Sequence, residues 1–375
     1  MDAFLALVRR IVGLCRKELL AILKDPATRV ILVVPVIMQS MLFGYAATFD
    51  LYRVDYALLD QSRSAASAEL VAHLDGSTAF RRATTLDNAA QIAPLIDNEK
   101  ALLVLHIGPR FAQQLAAGEA APVQLIIDAR NSNTAQAAAA AVQAIVARFN
   151  DDWRLRQGGA APPVTVVTRA WYNPNLTTRW NFMPGLIAAL SMIQTLLLTA
   201  LSVAREREQG TFDQLLVTPL SPTEIMIGKA VPPVLIGLLQ ATLVFLITRW
   251  WFGIPLAGSV ATLYTGLLFF TVASVGIGLS ISAVSANMQQ AMLYAFVVIM
   301  PLMLLSGLTT PVSNMPEALQ IATLANPLRF AIDLVQRVYL EGVGLATVWH
   351  NLVPLLAISV ITLPLAAWLF RNRLV

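Results

Sequence analysis

The chain contains 375 residues, of which 57% are hydrophobic and only 13% are charged, and its formal net charge is +4. This balance is far from that of a soluble domain and indicates a membrane protein, while so small a charge, spread over scattered arginines, excludes a nucleic-acid-binding surface. A single cysteine, Cys15, excludes a disulfide framework, and the three histidines lie too far apart in sequence to predict a metal site.

Residues 1–28 have the pattern of a basic amphipathic helix, with apolar residues at helical spacing and arginine or lysine on another face. Such a helix lies in the membrane interface with its cations near anionic headgroups, so membrane lipids are among the expected partners. An apolar segment over 29–49 follows and is long enough to cross a bilayer. A cleaved signal peptide is the alternative, but no small-residue cleavage site is evident. We therefore predict a cytoplasmic interfacial helix and an uncleaved first transmembrane helix.

Residues 50–180 differ from the rest, because charges of both signs are equally frequent and strand-like stretches alternate with helical ones. The strand patterns cover 54–60, 79–86, 101–107, 123–128 and 164–170, and the longest helical pattern covers about 134–157. This alternation predicts an α/β domain with a mixed or parallel sheet, inserted after the first span and lying outside the cytoplasm. No catalytic constellation stands out in it.

Five further apolar segments have the length of transmembrane helices, and we place them at 182–204, 230–248, 259–284, 290–308 and 352–370. The positive-inside rule then puts both termini, including the tail 371–375, in the cytoplasm. The predicted fold is an α-helical polytopic membrane protein with six transmembrane helices and an extracytoplasmic α/β domain between the first two.

A short polar segment, residues 205–229, joins the second and third spans and carries three local signals. Gly210 stands where a helix would stop in a left-handed cap. The pattern Thr211–Gln214 is a capping box that starts a short helix, and Thr218-Pro219 ends that helix near Val217. Ser221–Glu224 has the N-cap, proline and glutamate of a second helix start. Any loop between two spans could carry such signals, so they do not establish a function.

The same segment resembles the cytoplasmic signature of ABC-2 type transporter permeases. The family's recurring form is R-E-x-E-x-G-T-x-x-x-L-x-x-T-P, followed after a short spacer by E-x-x-x-G-K. The matching residues are Arg205, Glu206, Glu208, Gly210, Thr211, Leu215, Thr218, Pro219, Glu224, Gly228 and Lys229. In that family the segment docks on a separate ATP-hydrolysing subunit, so the resemblance implies a coupling role, in which we include Phe212 and Asp213 of the same short helix.

The resemblance covers nearly the whole chain and is strongest to the drug-export-type permeases of Gram-negative bacteria. It implies a non-catalytic inner-membrane subunit of an exporter for an apolar or amphipathic substrate, acting as a dimer with itself or with a sister permease. A periplasmic membrane-fusion (HlyD-like) adaptor often accompanies such permeases. ATP and Mg would be bound by the partner ATP-binding subunit, because this chain lacks the G-x-x-x-x-G-K-[ST] motif, and no cofactor is expected here. We expect the carboxylates of Glu206, Glu208 and Asp213 to face that subunit.

Two further sets of residues stand out in the second half of the chain. Ser274, Gly278 and Ser282 recur every four residues and form a small-residue ridge, suited to packing within the subunit or in a dimer. Residues 310–350 have the pattern of two short helices broken at Asn326-Pro327 and resemble the family's re-entrant helices, which close the outer end of the pathway. The gate residues that this resemblance implies are Ser306, Gly307, Pro311, Met315, Pro316, Asn326, Pro327 and Gly342.

Three functions stay open from the residues alone: a subunit of an ATP-driven exporter, a secondary transporter or channel, and a membrane-anchored receptor or assembly factor. An ion-coupled carrier should hold ionisable groups inside its spans, and the apolar stretches of the predicted spans contain none. A receptor needs an outer domain and an anchor, but not six spans. We therefore expect the exporter subunit. The alternative is a receptor or a transporter not driven by ATP, whose outer domain recruits a periplasmic partner.

Overall fold

A computed structural model of the chain describes residues 2–46, 51, 53–130, 132–156, 177–211 and 221–372. It contains two compact units, one formed by Met1–Thr48 with Ala170–Val375 and the other by Phe49–Arg169. Over the described residues the first unit is helical, whereas the second combines a β-sheet with helices.

Two helices open the first unit. Helix α1, Asp2–Lys24, is amphipathic, with Leu14 and Ile22 buried. Helix α2, Pro26–Ala46, starts after Asp25, whose carboxylate accepts the backbone N–H of Thr28 at 3.1 Å as a helix cap. The helix boundary therefore lies a few residues before the predicted one at 28. Most apolar side chains of α2 point away from the unit, as expected of a helix that faces lipid.

The second unit is built on a four-stranded sheet with the order β2-β1-β3-β4. The strands are β1 Val54–Asp60, β2 Phe80–Thr85, β3 Leu103–Ile107 and β4 Val123–Ile127. The first three are parallel and β4 runs antiparallel to β3. The helices of this unit are α3 Ala65–Asp75, α4 Ile92–Asp97, α5 Phe111–Ala116 and α6 Ser132–Arg156.

Both faces of this sheet are covered, which is why its central strands are nearly continuous apolar runs. On one face Leu58 and Leu105 pack with side chains of α3, α5 and α6. On the other face Leu59 and Val104 pack with side chains of α4. The predicted strands up to residue 128 coincide with observed ones, and the predicted strand at 164–170 lies outside the described residues.

The described residues after 176 form seven α-helices that complete the first unit. They are α7 Thr178–Glu208, α8 Pro222–Leu246, α9 Val260–Val284, α10 Met288–Leu304, α11 Glu317–Ala322, α12 Pro327–Gln336 and α13 Leu345–Asn372. A π-helical turn extends α8 over Ile247–Trp251, and another extends α12 over Arg337–Glu341.

Five stretches of the described helices are long and apolar enough to cross a membrane. They are Thr28–Tyr45, Thr178–Glu208, Thr223–Trp251, Val260–Val284 and Leu345–Asn372. Helix α10 is apolar but has only 17 residues, or about 25 Å against a hydrocarbon core of about 30 Å. The described part of the chain therefore has five candidate spans and one shorter apolar helix where six spans were predicted.

The last span begins earlier than the apolar pattern predicts. Helix α13 starts at Leu345 rather than at 352, so its first turns occupy the end of the predicted outer segment. The polar residue Asn351 is accommodated there because its side-chain amide donates to a carboxylate oxygen of Asp333 in α12 at 2.7 Å. A hydropathy pattern registers Asn351 as polar but contains no information on the hydrogen bond that lets this residue lie within the helix.

The small-residue ridge of α9 packs inside the unit. A side chain at Gly278 would lie 2.7 Å from Cβ of Thr199 and 3.0 Å from the carbonyl oxygen of Leu196, both in α7. The hydroxyl of Ser282 accepts the backbone N–H of Val203 at 3.0 Å, and Ser274 is fully buried. Of the two roles considered for this ridge, the structure supports packing within the subunit and not a dimer contact.

Candidate functional site

The segment 205–229 begins with the left-handed helix cap that its glycine predicts. Helix α7 ends at Glu208, and Gly210 has a φ of +67°. The N–H of Gly210 donates to the carbonyl of Arg207 at 3.1 Å, and the N–H of Thr211 donates to the carbonyl of Glu206 at 3.0 Å. These two bonds form a Schellman motif, which sets the direction in which the chain leaves α7.

The middle of the segment, 212–220, lies outside the described residues. The short helix up to Val217 and the capping residue Gln214 therefore stay predictions. The same holds for the predicted coupling residues Phe212, Asp213, Leu215, Thr218 and Pro219.

Helix α8 begins with the predicted capping box. The hydroxyl of Ser221 accepts the N–H of Glu224 at 3.3 Å, and the Glu224 carboxylate accepts the N–H of Ser221 at 2.6 Å. Pro222 occupies the first helical position, where its missing N–H costs nothing. The second carboxylate oxygen of Glu224 lies 2.9 Å from Nη2 of Arg10 in α1. The start of α8 is thus attached to α1.

A cluster of ion pairs, buried around Lys229 and open to solvent at Lys17, joins α1, α7 and α8. The fully buried Nζ of Lys229 lies 2.7 Å from Oε2 of Glu206 and 3.4 Å from Oε1 of Glu18. Nζ of Lys17 lies 3.5 Å from Oε1 of Glu206. We call Lys17, Glu18, Glu206 and Lys229 the ionic joint. Its two ammonium groups and two carboxylates balance, and its buried part, Lys229 with Glu206, is stable only while both members remain paired.

Gly228 lets α1 approach α8 closely enough for the joint to form. A side chain at this position would collide with the side chain of Leu14, and Sγ of Cys15 lies 3.7 Å from the Gly228 carbonyl oxygen. In the Gly-Lys pair that ends the signature, the glycine admits α1 and the lysine binds carboxylates of α1 and α7.

The residues of α1 in this site were not predicted to take part in it. Glu18 follows Leu14 and precedes Ile22 by four residues each, so the three share one face of α1. Leu14 and Ile22 are buried. A carboxylate on the same helix face as buried apolar residues requires a positively charged or hydrogen-bonding partner. The position of Glu18 in the sequence could therefore have indicated that α1 takes part in the ionic joint.

The expected role of one carboxylate, Glu206, needs correction, and a second carboxylate, Glu208, also has a partner within this chain. Glu206 does not offer a free carboxylate to another subunit, because it is only 8% exposed and Lys229 binds it. Glu208 is exposed, but its carboxylate accepts the N–H of Met288 at 2.9 Å and so caps α10. The guanidinium of Arg207 donates to the carbonyl of Ser285 at 2.9 Å. The end of α7 is therefore tied to the connection between α9 and α10.

Helices α7 and α8 continue beyond the predicted spans 182–204 and 230–248. Glu206 and Lys229 lie on these continuations, and the predicted spans themselves contain no ionisable residue. Among the described residues, no group of three or more His, Cys, Asp or Glu side chains could hold a metal ion.

A cavity of about 470 Å³ lies beside the ionic joint, between α1, α7 and α8. Members of the joint form part of its wall, together with Arg205, Thr211 and the pair Pro232 and Pro233. It therefore reaches Thr211, the last described residue before the middle of the segment 205–229.

Most of the predicted gate residues start or end short helical elements in the connection between α10 and α13. Gly307 and Gly342 have φ values of +90° and +73°, a conformation that favours glycine. Pro311 precedes a 3₁₀ turn, Val312–Asn314, which the N–H of Met315 closes on the carbonyl of Val312 at 3.1 Å. Pro316 precedes α11.

The break at Asn326-Pro327 lies where it was predicted, and it fastens α12 to α10. The side-chain oxygen of Asn326 caps α12 by accepting the N–H of Leu328 at 2.9 Å, and its amide donates to the carbonyl of Leu302 at 2.8 Å. Pro327 is the first residue of α12. Ser306 is buried and donates to the carbonyl of Met303 at 2.6 Å.

Comparison with known proteins gives one family over most of the chain. A model described as "ABC-2 family transporter protein" matches residues 27–368. The chain is 42% identical over 365 residues to the probable multidrug ABC transporter permease YbhR of Escherichia coli K12, covering 97% of this chain and 99% of that protein. It is 29% identical over 372 residues to the probable multidrug ABC transporter permease YbhS of the same organism, covering 97% of each. The chain is also 28% identical over 382 residues to the inner membrane transport permease YhhJ of Escherichia coli K12, covering 98% of each protein.

Replacing Lys229 by Met should strongly destabilise the protein, because Glu18 and Glu206 would lose their buried partner. Breaking a buried ion pair from one side costs about 3–5 kcal/mol. Adding Glu206→Gln to Lys229→Met should recover part of this loss, since it removes one of the unpaired charges. Thermal unfolding in detergent measures both effects, with Lys24→Met, an exposed lysine of α1, as the matched control. Equal melting temperatures for Lys229→Met and Lys24→Met would contradict a stabilising ionic joint.

Proposed function

The chain belongs to the ABC-2 family of transporter proteins, and from this membership we propose that it is the permease subunit of an ATP-driven exporter. In this proposal a separate ATP-binding subunit hydrolyses ATP with Mg, and the permease moves an apolar or amphipathic substrate outward across the bacterial inner membrane. The family match over 27–368 carries the proposal. It also favours this function over a receptor or a transporter not driven by ATP.

The segment 205–229 is the proposed contact with the ATP-binding subunit. Both of its ends are held by the same body of helices: the Schellman motif and the Glu206 ion pair hold one end, and the capping box and Lys229 hold the other. A displacement of the segment would therefore be passed to α7 and α8 together, and through Glu18 and Arg10 to α1. A mobile loop between two spans would absorb such a displacement.

The proposed assembly is a dimer, with a second copy or with a sister permease. The ridge Ser274, Gly278 and Ser282 is used inside the subunit, so the dimer must form through another surface. A periplasmic membrane-fusion adaptor is a further proposed partner, for which the unit Phe49–Arg169 would be the available outer domain.

The proposed outer gate is the connection between α10 and α13. Its helix α12 is buried against α7 and α9 rather than looping freely, and Leu328, Leu334 and Val338 are fully buried. Backbone at membrane depth that does not cross the membrane is stable only when packed against protein in this way. A shift of α12 relative to α10 and α13 is therefore the proposed opening motion.

The proposed orientation puts both termini and the segment 205–229 in the cytoplasm, with the unit Phe49–Arg169 outside. It predicts that a cysteine at exposed Ala120, in a Cys15→Ser background, reacts with a membrane-impermeant maleimide in intact spheroplasts. A cysteine at exposed Gln209 should react only after permeabilisation. Reaction of the Gln209 variant in intact spheroplasts, with the Ala120 variant protected, would reverse the orientation.

A matched pair of glycines tests the coupling role. Gly210 and Gly253 both have a φ of +67° and open space around the position of a β-carbon, but only Gly210 belongs to the segment 205–229. Alanine should cost each about 1–2 kcal/mol of backbone strain. We expect Gly210→Ala to lower the stimulation of ATP hydrolysis and the transport rate, and Gly253→Ala to leave both near the parent values.

The readout is ATPase activity and transport of the complex reconstituted in vesicles, at protein amounts matched by immunoblot. If Gly210→Ala is present in normal amounts and stimulates ATP hydrolysis as the parent does, the segment does not couple the two subunits.

A further inference from the structure

An apolar groove of about 720 Å³ runs between α8, α9 and α13. Its lining is apolar except for Thr223, which lies at the end where α8 begins. Four lining side chains, Ile227, Val231, Leu235 and Leu268, are between 37% and 51% exposed, so the groove is open along its side. In a membrane-spanning body, a lateral opening of this kind faces lipid.

The length of the groove matches one leaflet. Its lining on α8 extends from Thr223 to Leu235, which is about 18 Å at the helical rise of about 1.5 Å per residue. That is close to half of a hydrocarbon core of about 30 Å. The groove thus has the length that an acyl chain occupies within one leaflet.

Helix α9 packs closely against both α8 and α13 along the groove. A side chain at Gly276 of α9 would collide with Thr362 of α13, and one at Gly237 of α8 would lie 3.1 Å from Thr271 of α9. Helices that pack side by side need about 8–10 Å between their axes. The groove is therefore a shallow furrow that fits a flexible chain better than a helix of a second copy.

The end of the groove at which α8 begins carries cations. Arg371 is exposed and lies on the stripe of α13 that lines the groove, four residues after Ala367 and seven after Pro364. Arg10 of α1 is also near this end, because it binds Glu224, which follows Thr223 in the first turn of α8. Since Glu224 offsets the charge of Arg10, Arg371 supplies the net positive charge at this end.

We propose that this groove is a binding site for an anionic phospholipid, with one acyl chain between α8, α9 and α13 and the phosphate at Arg371 and Arg10. The site does not depend on the proposed function. The orientation proposed above adds only that the site lies in the inner leaflet. A bound lipid would join the ends of α8 and α13 beside the attachment of α1.

Native mass spectrometry of the purified full-length chain, given equal phosphatidylglycerol and phosphatidylcholine with the same acyl chains, tests the proposal. Ala230→Phe fills the groove and should lower retained phosphatidylglycerol about tenfold, since the acyl chain loses its buried methylenes. Val360→Phe is the matched control, because Val360 is 62% exposed on α13 and is not part of the groove lining. Arg371→Gln should lower the preference for phosphatidylglycerol about fivefold while leaving the groove intact.

Equal retention of phosphatidylglycerol by Ala230→Phe and Val360→Phe would overturn the proposal. So would a preference for phosphatidylglycerol that is unchanged in Arg371→Gln, a variant at an exposed position that does not disturb the fold. A change in oligomeric mass with Ala230→Phe and no change in bound lipid would assign the groove to a second copy of the chain instead.

Discussion

The buried ammonium group of Lys229 is the constraint on which the rest of the first unit depends. An unpaired charge at this depth is costly, so α1 and α7 must supply carboxylates to it. Glu18 can reach it only because Gly228 lets α1 lie against α8, and Glu206 reaches it only because α7 remains helical past its apolar stretch. One ammonium group thereby joins three helices.

Because of this constraint, the two ends of the segment 205–229 are held at fixed positions relative to each other. The two helices that it connects are joined to each other at Glu206 and Lys229, and α7 is also tied to the α9–α10 connection through Arg207 and Glu208. Four charged residues of the family signature, Glu206, Glu208, Glu224 and Lys229, therefore hold helices together. In the proposed exporter, these bonds make the helices respond to the ATP-binding subunit as one body.

Much of the segment was predictable, because helix caps are local. Gly210 and the box Ser221–Glu224 specify their own backbone geometry within a few residues, and both have the predicted form. The ion pair between Glu18 and Lys229 joins residues that are distant in sequence, so no local pattern contains it. Helices α7, α8 and α13 extend beyond the predicted spans for a related reason. A hydropathy pattern stops at the first charged or polar residues, whereas these helices continue where such residues find partners.

We propose that an ATP-binding subunit engages the segment 205–229 and that the helices joined by Lys229 move with it. Hydrogen–deuterium exchange of the full-length chain in nanodiscs, alone and with its ATP-binding subunit, tests this proposal. We expect slower exchange on binding in peptides that cover 205–229 and in α1 around Glu18, with no change around Gly253, a backbone site of the same conformation outside the segment. A complex that forms while exchange over 205–229 stays unchanged would contradict it.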